Sequence, residues 1–483
     1  MQSQATTRRK FLASTAGAAA GTIFAPYIMR AQAGSPNAKL NLAIVGANGK
    51  GKSDWQAAQQ EGNNIVAMCD VDPKRLEEML AACEKGDPKK EIPGAPKPKG
   101  YTDFRKMLEE NEKTIDGVIV SAPDHVHFPA AMMAVKMGKH VCVQKPMCNF
   151  IWEVRELHKA AKKAGVVTQM GNQGRTMEGQ RLAKEWVDQG VIGKLKEVRL
   201  WTNRPIWPQG MLKKIKADVP AGLDWDLWLA ANPHIDYFEY EDAKGKKGSV
   251  HPFAWRGWWA YGSGAQGDMG CHIMDGTFTL LDQKIPTKIE VESAPIDMEQ
   301  APAWSTLIYH FAATDKYPAL QVTWQDGQFV NGQFNKPERH PAMDDMDEKE
   351  WRKAKSGMMF IGEKGVIFEA DAYLQNPTIY PKKLMDETKA AMASGAIKKT
   401  EKRSTHPGEP QKEWAYAIKN KLQTSSNFDY SAPLAEFVLL GNLAIRSGQT
   451  VEWDQENMKV TNIESANQYV RRPAYRKGWE FKA

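Results

Sequence analysis

The stretch "VGANGKGKSD", residues 45–54, decides the fold. It follows a short β-rich run, "LNLAIVG" (40–46), and leads into a stretch with helical character. Gly46, Gly49 and Gly51 let the backbone approach a pyrophosphate at a helix N-terminus, where the first N–H groups have no partners within the helix. Asn48 stands where a glycine is usual in the dinucleotide fingerprint. Asparagine tolerates left-handed backbone, so Asn48 and Lys50 are assigned with the glycines to cofactor binding. The next run, "NIVAMCDVD" (64–72), ends near Asp70, 24 residues beyond Gly46, about where a ribose 2′-hydroxyl is bonded. A carboxylate there repels a 2′-phosphate, so the pattern predicts NAD over NADP.

Outward from this turn the alternation continues. "GVIVSAP" (117–123), "HVCVQKP" (140–146) and "VVTQMGN" (166–172) are β-rich, and helical stretches such as "DPKRLEEMLAACEK" and "FIWEVRELHKAAKKAG" lie between the runs. This rhythm predicts a parallel sheet with helices on both faces, an α/β Rossmann domain over 38–174. "GDPKKEIPGAPKPKG" (86–100) reads as a surface loop. Beyond 174 the strands 195–205, 287–295, 305–313, 319–326 and 358–371 have few helices between them. They predict an α+β domain over 175–483 with a large, mostly antiparallel open sheet. The charged run 342–357 reads as a solvated excursion, and 432–448 as a helix packing back on the core.

A chain of 483 residues exceeds one ordinary core, and 25% charged with 42% hydrophobic residues fits a globular protein. Residues 1–33 read as an export signal of the twin-arginine type: Arg8–Arg9, then Phe11–Leu12, an Ala/Gly-rich run, and Ala31-Gln32-Ala33 as a cleavage site. That segment holds Arg8, Arg9, Lys10 and Arg30 and no acid, so its removal lowers the net charge from +7 to +3. Such a charge is no nucleic-acid footprint. No apolar stretch of the mature chain reaches membrane-spanning length. Cys69, Cys83, Cys142, Cys148 and Cys271 show neither a disulfide framework nor metal-ligand spacing, and no metal is expected. These features predict a periplasmic or secreted protein folded before export, with a tightly held cofactor inserted first.

"GDMGCHIMD" (267–275) places Asp268, His272 and Asp275 at i, i+4 and i+7, within about 60° of one another on a helix. This is either a capped helix with a satisfied histidine or a general base held by its partner. "GNQG" (171–174) lies at the domain junction, so Asn172 and Gln173 are assigned to the nicotinamide ribose or the substrate.

The glycine turn, "APDHVHFPAA" (122–131), "VQKP" (143–146) and "GDMGCHIMD" come in the order of the Gfo/Idh/MocA oxidoreductases, which this chain resembles across nearly its whole mature length. The stretch "WRGWWAYGSGAQGDMGCHIMD" (255–275) looks like the family's exported, twin-arginine branch. The resemblance implies Lys145, Asp268 and His272 as the catalytic set. Lys145 would hold a substrate hydroxyl, His272 would take its proton with a pKa near 7, and Asp268 would orient the imidazole. It also assigns Pro123, Asp124 and His127 to the cofactor, and implies an oligomer of two or four copies. Gln144 stands where the family usually has glutamate, which puts the lysine's protonation state in question; Gln144 and Lys145 are both assigned to the cofactor side. His125 could point to substrate or to solvent. Trp225, Trp228, Trp255, Trp258 and Trp259 cluster before the Asp/His run. Flat rings suit the C–H faces of sugars, so Trp207, Trp255 and Trp258 are stacking candidates, with Arg204, His251, Arg256 and Tyr261 as edge contacts.

Three functions are expected to compete. The first is NAD-dependent oxidation of a sugar, cyclitol or glycoside hydroxyl. The second is glycoside cleavage through transient oxidation, elimination, hydration and re-reduction; a dismutase would likewise regenerate its cofactor. The third is non-catalytic sugar binding.

Overall fold

The computed structural model describes residues 39–480, so the export signal read at 1–33 lies outside the described residues. The first sheet is built from short apolar runs buried on both faces, as a parallel sheet between helix layers requires. In chain order it comprises β1 (Asn41–Val45), α1 (Lys50–Gln60), β2 (Asn64–Cys69), α2 (Pro73–Lys85), β3 (Lys99–Tyr101), α3 (Phe104–Asn111), β4 (Gly117–Val120), α4 (Asp124–Lys136), β5 (His140–Val143), α5 (Ile151–Ala164) and β6 (Thr168–Met170). The strands pair in parallel in the order β3-β2-β1-β4-β5-β6. The chain reverses its winding between β1 and β4, which opens a crevice beyond their carboxyl ends. Within this sheet, β3 departs from the sequence reading. Lys99 and Gly100, placed in a surface loop, belong to β3, where they pair with Ala67 and Met68. An edge strand needs only one partner, so a short polar run suffices.

After α6 (Glu178–Asp188), β7 (Leu195–Thr202) enters a nine-stranded sheet. β7 pairs in parallel with Leu320–Asp326 and antiparallel with Ser356–Gly362. All other neighbours in that sheet are antiparallel. The two expected sheet types are therefore both present. The run 342–357 is no solvated excursion: Met343, Met346, Trp351 and Ala354 are buried, and Trp351 packs on Trp201 and Phe368. Its charges face water while its apolar residues cover one sheet face.

The helix Gly264–Leu280, which carries the Asp/His run, packs against the helix Phe428–Ser447. The latter ends at Gly448, whose φ of 63° forms a left-handed cap. Gly270 makes the close approach possible, since a Cβ there would lie 2.7 Å from Val438 Cγ1. The boundary drawn at 174 follows the chain more closely than it follows the packing. Trp414, on the helix Pro410–Asn420, is buried with Leu42 and Ile44 of β1, and Trp479 packs on Phe104 of α3. Among the described residues no helix is long and apolar enough to cross a membrane, and all five cysteines are buried and unpaired.

Candidate active site

A cavity of about 510 Å³ opens at the β1/β4 crevice and is closed from the other side by the second half of the chain. Its floor is the glycine turn. Gly46 has φ +80°, and a Cβ there would stand 2.6 Å from Ala122 N, while at Gly51 it would meet Gly46 O at 1.8 Å. Both glycines are thus required by the turn itself. Gly49, also at positive φ, has nothing nearer its Cβ position than Arg75 Nη2 at 3.9 Å, so its face is open to a ligand. α1 begins there without a side-chain cap; the Gly51 N–H bonds the Asn48 carbonyl at 3.1 Å, and the helix N-terminus otherwise faces the cavity uncapped. Asn48 does not take the left-handed backbone expected of it; its Oδ1 instead accepts the Gly49 N–H at 2.6 Å.

Asp70 lines the cavity and accepts the N–H groups of Asn48 (3.4 Å) and Asp72 (3.2 Å). Burial raises its pKa, and those N–H donors and Arg75 act against the rise. Open Gly49, the uncapped α1 and the carboxylate of Asp70 together fit a dinucleotide diphosphate with a free ribose diol. Arg75, which sequence reasoning missed, also lines this part of the cavity.

Asp54, the last residue of the opening stretch, was missed as well. Its buried carboxylate accepts from Lys50 Nζ, Ser121 Oγ (2.7 Å), Gln144 Nε2 (2.8 Å) and Gln411 Nε2 (2.8 Å). Four segments meet on one acidic side chain. The same contact explains Gln144, because a glutamate there would set a second carboxylate against Asp54.

Lys145 follows directly. Its Nζ donates to Asp268 Oδ1 at 2.9 Å and to the Asp268 carbonyl at 2.7 Å, and Arg256 Nε stands 3.4 Å from the same Oδ1. Burial acts to raise the Asp268 pKa, but Lys145 and Arg256 overcome it and hold the carboxyl at about 2. Asp124, also at the cavity wall, is pushed up by burial to about 7, with Ser263 Oγ donating to it at 2.6 Å. A fixed ammonium, a firmly ionised carboxylate and a carboxyl that titrates near neutrality therefore share one cavity.

Models of an oxidoreductase family match both halves of the chain. One, described as an NAD-binding Rossmann fold, covers residues 40–172; the other, a C-terminal alpha/beta domain, covers 179–321. The chain belongs to the Gfo/Idh/MocA oxidoreductase family. It is accordingly a member of a family of NAD-dependent oxidoreductase enzymes. Among curated proteins it is 28% identical over 213 residues to a glycosyl hydrolase family 109 protein of Shewanella baltica, covering 39% of this chain and 44% of that one. It is 26% identical over 98 residues to levoglucosan dehydrogenase of Pseudarthrobacter phenanthrenivorans, covering 20% and 25%. The matched region thus spans less than half of these curated relatives. The WlbA dehydrogenase of Bordetella pertussis, solved with NADH and UDP-GlcNAcA, superposes with a TM-score of 0.56 at 14% identity over 86% of this chain and 99% of that one, which shows the shared fold.

Within this Gfo/Idh/MocA chain, several assigned residues stand elsewhere than the sequence reading put them. His272 lies outside the cavity lining, edge-on to Tyr373 at 4.9 Å, and its buried Nδ1 has no hydrogen-bond partner. Asp268 does not orient it, because that carboxylate is taken by Lys145 and Arg256. Burial, reinforced by the Lys145 ammonium, drives the imidazole well below its ordinary pKa, so it is neutral where the sequence reading expected titration near 7. Asn172 faces away from the cavity. It donates to Asp275 Oδ2 (2.8 Å) and accepts from Ser426 Oγ (2.6 Å), in a buried network that Gln180 and Tyr430 complete around Asp275. Gln173, half-buried with its Oε1 unpartnered, is likewise outside the lining.

His127 lines the cavity but has both ring nitrogens against carbonyls, those of Pro146 (2.7 Å) and Ala122 (2.8 Å), so it braces the Lys145 loop. His125 reaches neither substrate nor solvent; it is buried between the carbonyls of Trp228 and Tyr261. Trp258 and Tyr261 belong to a small aromatic core with Trp225 and Phe238, and neither lines the cavity. Trp207 and Arg204 also stand outside the lining. His251 is in the cavity, yet its Nε2 stands 3.4 Å from Asp72 Oδ2, beside the Asp70 loop and not at Lys145. Trp255 and Arg256 line the cavity, with the guanidinium 4.3 Å from the Trp255 ring and 4.4 Å from that of Phe253, an exposed aromatic the sequence reading passed over.

Proposed function

We propose that this chain oxidises a hydroxyl of a sugar, cyclitol or glycoside, using a retained NAD, after export in the folded state. The observation that carries the reading is the single cavity joining the glycine turn and Asp70 to the Lys145–Asp268–Arg256 group. When bound along the glycine turn, NAD supplies the acceptor for the hydrogen that leaves the carbinol carbon with its electron pair. Lys145, fixed by Asp268, donates to the substrate oxygen and stabilises the negative charge that grows there as the hydroxyl proton leaves. The family resemblance assigns that proton to His272, but His272 stands outside the cavity lining with its buried Nδ1 unpartnered, so H272A tests whether it takes that part. Trp255, Phe253 and Arg256 offer apolar faces and a donor edge to the sugar ring. The mature protein is expected to be an oligomer of two or four copies, which light scattering checks.

A specific observation favours a second reading of the same site. Glycoside cleavage through transient oxidation needs two proton-transfer groups: one removes the proton beside the new carbonyl, and one protonates the departing oxygen. Water then adds, and the hydride returns with no net redox change. Asp124, titrating near 7 in the cavity, supplies the second group, and the curated glycosyl hydrolase relative is consistent with it.

The test pairs sugars with aryl glycosides. Net cofactor reduction supports dehydrogenation; aglycone release without net reduction, with solvent deuterium entering beside the oxidised carbon, supports cleavage. K145M and H272A are expected to abolish either activity while leaving NAD bound, and full turnover in both variants would overturn the assignment. D124N is expected to remove the limb of the pH–rate profile near 7 and to spare NAD binding.

A further inference from the structure

The far end of the same cavity has an unusual wall. Beyond Asp70, it is lined by Val71, Phe104, Val126, Leu227 and Trp479. Val71 follows β2, Phe104 opens α3 after β3, and Val126 lies in the first turn of α4; these are the positions that flank the adenine of a dinucleotide in a sheet of this winding. Trp479 comes from the other end of the chain. Its ring centroid lies 5.7 Å from that of Phe104, and the Arg105 guanidinium sits 3.9 Å above it. Arg105 is itself fixed by Asp103, at 3.0 and 2.7 Å, and donates to the Gly478 carbonyl at 3.2 Å.

The segment leading to Trp479 is anchored on both halves of the molecule. Arg472 donates to Glu153 of α5 at 2.8 Å, with both side chains almost wholly buried, and also to Asn232 and to the His125 carbonyl. Tyr475 Oη donates to the same Glu153 oxygen at 2.8 Å. Arg476 pairs with Asp226 and donates its N–H to the Ala231 carbonyl at 3.0 Å. The short helix Trp225–Leu229 also belongs to the cavity, through Leu227 and Trp228, and the N–H of its N-cap, Asp224, bonds the Val71 carbonyl at 3.1 Å. Residues 472–479 therefore cross from the Rossmann half to the second half and end against the adenosine side of the cavity.

We propose that residues 472–479 form a clasp over the adenosine half of the NAD site, with Trp479 as a wall of the adenine pocket, so that NAD leaves only when the clasp lifts. The inference rests on the NAD reading of the glycine turn. An aromatic plane backed by a guanidinium suits a flat base, and the Arg472–Glu153 anchor makes lifting slow. A cofactor held in this way would remain with the protein where free NAD is scarce.

The test measures NAD release from the full-length protein by displacement and rapid mixing, for the wild type and for W479A, W479L and W479F. W479A and W479L are expected to speed release by about tenfold or more, while W479F, which restores a ring, keeps it slow. W479L decides the matter should W479A fail to fold. In the wild type, NAD is expected to slow backbone hydrogen exchange over 472–479. Release rates equal to the wild type in both W479A and W479L, or exchange in this segment unaffected by NAD, would overturn the clasp while leaving the NAD reading intact. A wild-type protein that takes up no NAD would overturn the NAD reading itself, and the clasp with it.

Discussion

At the scale of single residues, the site turns on where carboxylates are tolerated. Asp54 tolerates burial because Lys50 pairs with it and three neutral donors satisfy its oxygens. Gln144 is the partner that would conflict if charged. Q144E is expected to place two carboxylates in contact, raising the pKa of one. A carboxyl whose folded pKa lies above its unfolded value binds a proton that the unfolded chain has lost, so its contribution falls as pH rises. The thermal midpoint of Q144E should match that of the wild type near pH 4, the ordinary carboxylate value of about 4.3, and fall progressively behind it toward neutrality. Asp70 is the second carboxylate, and cofactor choice is expected to rest on it. D70S is expected to remove the repulsion of a 2′-phosphate and leave Arg75 to attract it, moving the NAD/NADP affinity ratio toward NADP by about tenfold or more, as isothermal titration would show. The glycine turn and Asp70 were readable because their chemistry is tied to spacing along the chain, whereas Lys145 was reached only through the family resemblance. Asp54 was within the same ten residues but escaped notice, since its partners Ser121, Gln144 and Gln411 are distant in sequence.

At the scale of elements, the helix Gly264–Leu280 was read correctly as a face carrying Asp268, His272 and Asp275, yet that face divides among different tasks. Asp268 turns to the cavity, His272 packs on Tyr373, and Asp275 is sealed in a network with Asn172, Gln180 and Tyr430. Helical periodicity places side chains on one side; it does not say which neighbour covers each turn. Gly270 allows the helix Phe428–Ser447 to cover this one. G270A is expected to force Val438 aside and to cost about 1–3 kcal/mol by urea denaturation, despite alanine's better helix propensity. The tryptophans follow the same logic. Trp225 and Trp228 stack at 4.6 Å and Trp258 packs on Phe238 at 4.9 Å, building a satellite core from residues that looked like a sugar platform in sequence. Trp228 and Trp255 belong to that core and also line the cavity, whereas Trp225 and Trp258 are core alone.

At the scale of the whole molecule, the two halves are joined by more than the chain between them. The helix Pro410–Asn420 and the segment 472–479 return to the Rossmann half, and the Arg472–Glu153 pair lies almost completely out of water. E153Q would leave the Arg472 guanidinium buried without its counter-charge, and a loss of about 3–5 kcal/mol is expected in equilibrium unfolding. The sequence by itself determined the parallel sheet, the glycine turn that opens α1, the acid at the end of β2 and the mostly antiparallel second sheet, because periodicity and turn chemistry are local properties of a chain. Only the tertiary structure decided that Gln144 answers Asp54, that Asp268 belongs to Lys145 instead of His272, and that the C-terminal segment reaches the cofactor cavity. Those facts depend on contacts between residues separated by up to 373 positions, as in the Arg105–Gly478 bond, and burial and charge pairing at that range leave no periodic trace in the sequence.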